Sequence, residues 1–136
     1  MEAGPAASRR SALPAVLLTV SIVALSLWPK PPEPPPVHLF AHADKVAHFL
    51  MYFVYCAALA WTFRAEGRAW RIGAALAAYG TVFGAAMEGL QGALPFLDRA
   101  LSALDMLANA AGSAAGVVCF CTVFGRLHTA QAEERA

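Results

Sequence analysis

Asp44, Lys45 and His48 open one apolar stretch of this chain, Glu88 and Gln91 close another, and Asp98, Arg99, Asp105 and Asn109 lie just before or at the start of a third. Asp44, His48 and Tyr52 recur every four residues, so a helix stacks them on one face. Glu88 with Gln91, and Asp105 with Asn109, each share a face in the same way. Such groups can hold a ligand without making or breaking a bond. Lys45 and Arg99 then supply positive charge to an anionic head group, and the Gln91 and Asn109 amides complete the contacts. The alternative is an enzyme acting on a lipid-linked or phosphorylated substrate. Glu88 and His48 serve it as general base and acid, Asp105 orients the imidazole, and Arg99 steadies charge developing on phosphate. The binding reading is preferred.

A metal version would recruit His38, His42, Asp44 and His48, an oxygen and imidazole set suited to zinc or manganese. Their spacing matches no established signature, and His38 and His42 read as solvated histidines ahead of the helix. No metal and no cofactor is expected. Cys56, Cys119 and Cys121 give an odd count without C-x-x-C spacing, hence neither a disulfide framework nor a zinc pattern. Cys119 and Cys121 diverge by about 200° on a helix, and all three read as small membrane-buried hydrophobes.

The elements that must position these residues follow from composition. Of 136 residues, 59% are hydrophobic and 14% charged, against about 45–50% and about 25% in ordinary globular chains. That excludes a water-soluble enzyme and a disordered linker, and a net charge of +1 excludes a nucleic-acid binder. The expected fold is all-α, a single polytopic membrane domain over 1–136 with four helices near 12–28, 46–63, 72–90 and 106–124. The first follows Arg9 and Arg10 and stops at Pro29. It is long for a signal core and no small-x-small site follows, so it reads as a retained helix. Residues 29–36, PKPPEPPP, form an extended polyproline spacer outside the membrane. Asp44 is expected to cap the second helix, Gly92 to end the third in a left-handed C-cap with Pro95 beyond, and Ser102-x-x-Asp105 to open the fourth as a capping-box variant.

Basic residues set the orientation. With the N-terminus inside, Arg9, Arg10, Arg64, Arg68, Arg71, Arg126 and Arg135 are cytoplasmic, and only Lys30, Lys45 and Arg99 are outside. Both termini are therefore expected in the cytoplasm, with Trp28, Trp61 and Trp70 as interfacial anchors. The polar residues of all three inner helices then gather at the outer face, where the cost of a charge in lipid drives them toward one another or a wet cavity. The inner halves of the spans carry almost nothing ionisable, and no internal repeat is visible, which counts against a transporter. Gly80 and Gly84, and Gly112 and Gly116, make small-residue faces for close helix packing and for a homo-oligomer.

Taken in order, these residues resemble the VanZ-like membrane protein family. The resemblance is carried by D-K-x-x-H-F-x-x-Y (Asp44, Lys45, His48, Phe49, Tyr52), E-x-x-Q (Glu88, Gln91) and R-x-x-S-x-x-D-x-x-x-N-x-x-G-x-x-x-G (Arg99, Ser102, Asp105, Asn109, Gly112, Gly116). It covers about Asp44 to Gly116 and leaves the first helix and the tails outside. It implies a small protein of the bacterial inner membrane in a family named for a member associated with teicoplanin resistance. The family has no established reaction, so the resemblance brings a context and no activity. The expected partner, a membrane lipid or lipid-linked cell-envelope precursor, is read from the outer polar residues.

Overall fold

A computed structural model describes residues 11–29, 42–63 and 70–133, with side chains as far as 124. The Pro-rich spacer from Lys30 onward, His38 and the arginines at 64 and 68 lie outside the described residues. The chain is all-helical: α1 spans Leu13–Ser26, α2 Ala43–Thr62, α3 Trp70–Ala93 and α4 Ala103–Glu133, with a 3-10 turn at Pro95–Leu97 between α3 and α4. Four helices fall where four apolar runs were expected, with shifted ends.

The ends have local causes. At the start of α1 the Ser11 hydroxyl accepts the Leu13 N–H at 3.2 Å, and Pro14 sits in the first turn, where a missing donor costs nothing. α2 starts two residues earlier than its polar opening suggested, because His42 takes a left-handed φ of 67° and turns the chain into the helix. Asp44 is therefore not the cap. It lies inside the first turn, where the helix dipole still favours its charge. Gly92 does not end α3 either. The helix runs through to Ala93, and a Cβ at Gly92 would stand 3.1 Å from the Leu101 Cβ. The glycine is needed for close approach of the returning loop. The reversal itself comes from Pro95 and from Asp98, which carries the left-handed φ of 49°.

Ridges of small residues hold the bundle together. Gly112 and Gly116 on α4 receive the backbone carbonyls of Phe49 and Phe53 on α2, an approach no side chain would permit. Gly80 on α3 faces the Cys56 thiol and Ser113, and Gly84 faces Asn109 and the Tyr52 ring. All four glycines are buried, so the faces named for a homo-oligomer are occupied by the chain's own helices. Tyr52, Tyr55 and Phe83 fill the centre with ring centroids 5.6 to 6.3 Å apart. α1 leans on this wedge through Ala15 and Ile22, with the Thr19 and Tyr55 hydroxyls 3.1 Å apart.

α2 and the Ala103–Phe124 part of α4 are long and apolar enough to cross a membrane. α1, at 14 residues, is shorter than these. Large apolar side chains nevertheless point outward from every helix, among them Val20, Leu50, Val82 and Leu107. Cys119 joins them, and Cys56 is buried.

Candidate functional site

One end of the bundle carries the polar residues. α2 delivers Asp44, Lys45, His48 and Tyr52, α3 delivers Glu88 and Gln91, the loop delivers Asp98 and Arg99, and α4 delivers Ser102, Asp105 and Asn109. Helical spacing accounts for each set, and the Gly112–Phe49 contact sets α2 and α4 close enough for their polar faces to meet.

His48 stands at the middle. Its Nδ1 lies 3.0 Å from Oδ1 of Asn109 and 3.8 Å from Oε1 of Glu88. Asn109 is 1% exposed and Glu88 2%. The other carboxylate oxygen of Glu88 accepts the backbone N–H of Ser102 at 3.3 Å. One ligand-type atom each from His48, Glu88 and Asp105 falls within 4.8 Å of the others. The three side chains on which a shared site depended thus converge. Tyr52, one turn deeper on α2, is 1% exposed, and its hydroxyl has no partner among the described residues.

Several expected ligand contacts are taken up internally. Lys45 Nζ lies 2.5 Å from Asp44 Oδ2 and 2.6 Å from Asp105 Oδ1, so two carboxylates already hold it. The Gln91 amide donates to the Ser26 carbonyl at 2.9 Å and ties α3 to the last turn of α1. Asn109 is engaged by the imidazole. Arg99 is different: among the described residues its enclosed Nε–H has no acceptor and it forms no ion pair with Asp98. The Ser102 hydroxyl caps α4 by accepting the Asp105 N–H at 3.2 Å, as the capping motif predicts.

Two cavities meet here. A polar one of about 340 Å³ is lined by Asp44, His48, Asp98, Arg99 and Asp105 with Gln91. A more apolar cleft of about 210 Å³ runs past Leu25, Ala47 and Met51, and shares His48, Gln91 and Arg99 with the first. Sequence reasoning missed this second wall. Ala47 and Met51 precede His48 and Tyr52 by one residue each, so a helical wheel would have placed them at the rim. Leu25 is brought in only by α1 docking. Four acids (Asp44, Glu88, Asp98, Asp105) face two bases (Lys45, Arg99), leaving a formal excess of two negative charges with His48 neutral. The groups thus offer a partly buried imidazole–carboxylate cluster beside the Arg99 guanidinium, which lines both cavities. No family model, curated protein or solved structure matches this chain.

Proposed function

We propose that the chain is a VanZ-like integral membrane protein that crosses the inner membrane four times with both termini cytoplasmic. At its extracytoplasmic face it binds the anionic head group of a phospholipid or lipid-linked envelope precursor. The observation that carries this reading is Arg99, which lines both the polar cavity and the apolar cleft and whose enclosed Nε–H has no acceptor among the described residues. A phosphate on the guanidinium would satisfy that donor, and an acyl chain would run along Leu25, Ala47 and Met51. Lys45 contributes by holding Asp44 and Asp105, not by contacting the ligand. Four crossings are supported by the outward apolar side chains of α1 and α3, including Leu17 and Val82. At about 1.5 Å per residue, α3 with its 24 residues exceeds the thickness of a hydrocarbon core of about 30 Å.

The test is lipid retention by protein purified in mild detergent, read by native mass spectrometry with phosphatidylglycerol and phosphatidylcholine in competition. The parent is expected to keep the anionic lipid, and Arg99→Gln to lose most of it at an unchanged melting temperature. Equal retention by the two proteins rejects the proposal. The convergence of His48, Glu88 and Asp105 favours, as a second reading, a membrane enzyme that hydrolyses a lipid-linked phosphate. Phosphate release from a polyprenyl pyrophosphate, lost in Glu88→Gln, distinguishes it from binding alone.

A further inference from the structure

The polar cluster holds more negative charge than its own side chains neutralise, and the imbalance centres on Glu88. Lys45 is shared by Asp44 and Asp105, and Arg99 opens toward the cavity. Glu88 is left, among the described residues, with the Ser102 backbone N–H at 3.3 Å and the His48 imidazole at 3.8 Å. A buried carboxylate so placed calls for a cation. We propose that His48, Glu88 and Asp105 bind a divalent transition-metal ion, with zinc as the best fit to one imidazole and two carboxylates.

Four observations carry the assignment. The three donor atoms lie within 4.8 Å of one another, so a single ion reaches all of them after small side-chain adjustments. They come from three different helices, α2, α3 and α4, and the glycine contacts at Gly84 and Gly112 fix how those helices sit. Asn109, buried and 3.0 Å from His48 Nδ1, holds the imidazole in place beside Glu88. Finally, the Tyr52 hydroxyl is buried one turn below His48 and has no partner among the described residues. It supplies a donor for a water or anion on the ion. His48 and Asp105 also line the polar cavity, so the ion has an access route from outside the bundle. The sequence-based set of His38, His42, Asp44 and His48 shares only His48 with this site.

The test is zinc uptake by detergent-purified full-length protein that has been stripped with chelator, reloaded with zinc and desalted. The parent is expected to retain about one zinc per chain, and Glu88→Gln, His48→Ala and Asp105→Asn to bind at least about tenfold more weakly. Cys119→Ser with Cys121→Ser is expected to bind like the parent. Cobalt substituted for zinc is expected to give visible absorption bands that vanish in His48→Ala. If the ligand variants fail to accumulate, the parent alone decides, because an ion bound to the folded state must raise its melting temperature with concentration. A parent that takes up no zinc and gains no stability, or a Glu88→Gln protein that retains zinc as the parent does, overturns the site. Lipid retention measured on the chelator-stripped protein keeps the outcome separate from the head-group proposal.

Discussion

Oε2 of Glu88 accepts the backbone N–H of Ser102 at 3.3 Å, joining α3 to the residue that caps α4. In a self-contained capping box the acidic residue three positions after the cap takes that N–H. Here Asp105 occupies that position, yet its carboxylate meets Lys45 on α2. The acceptor has been supplied by another helix, and the local acid has been released to face the cavity. A helix cap has thereby become part of the site.

Glu88→Gln and Glu88→Ala are expected to separate on this account. Glutamine keeps a carbonyl to accept the Ser102 N–H, so its thermal stability in detergent should fall by less than about 1 kcal/mol. Alanine leaves that part-buried donor without its acceptor, a loss of about 1–2 kcal/mol. Denaturant or thermal melts of the two variants check the order.

The glycines make a sharper comparison. Alanine at Gly112 or Gly116 drives a methyl group into the Phe49 or Phe53 carbonyl, and backbone cannot swing aside as a side chain can. Each is expected to cost about 1–3 kcal/mol or more by overpacking. At Gly89 a Cβ meets nothing within 4 Å, so Gly89→Ala should be neutral or gain about 0.5–1 kcal/mol from helix propensity. Melting temperatures of the three variants decide it.

Much of this arrangement was legible in the amino-acid order, because helical period alone stacks Asp44 under His48 and sets Asp105 beside Asn109. The convergence of Glu88, His48 and Asp105 followed from placing three polar ends at one depth. What could not be read were the pairings between elements. Spacing does not reveal that the Gln91 amide is spent on the Ser26 carbonyl, since 65 residues separate the partners. Nor does it show that His42, through its left-handed backbone, displaces Asp44 from the cap. Gly92 misled for a related reason: glycine serves both left-handed turns and close contacts, and only Leu101 shows which applies.

Gln91→Ala is expected to loosen α1. The helix is held by a few apolar side chains, the Thr19–Tyr55 contact and this one amide. Faster backbone exchange in residues 20–27, with α2 to α4 unchanged, would mark the loss. Gln91→Glu is expected to have the same effect, because a carboxylate cannot donate to the Ser26 carbonyl.

Lys45 bridges two carboxylates of unequal exposure: the Asp44 side chain is 61% exposed and that of Asp105 14%. Solvent screens the first pair, for which about 0.2–1 kcal/mol is usual. A double-mutant cycle of Lys45→Ala with Asp105→Ala should therefore give a larger coupling than the cycle with Asp44→Ala. Equal couplings would mean that both pairs sit in water, and that the cavity is wetter than its lining suggests.

The topology turns on α1. Its 14 residues make about 21 Å of helix, short of a core of about 30 Å. Crossing therefore requires the flanks to enter the membrane or the bilayer to thin locally. Single cysteines in a background of Cys56→Ala, Cys119→Ser and Cys121→Ser resolve it with an impermeant maleimide. Phe96→Cys, exposed in the loop beside the site, should react in intact spheroplasts. Trp70→Cys, exposed at the opposite end of the bundle, should react only after permeabilisation. Ser11→Cys, just before α1, carries the decision. Labelling that matches Trp70→Cys means that α1 crosses and that the N-terminal side of α1 is inside. Labelling that matches Phe96→Cys means that α1 lies along the outer surface. The cleft at Leu25 and Ser26 would then open to the interface and not to the hydrocarbon core.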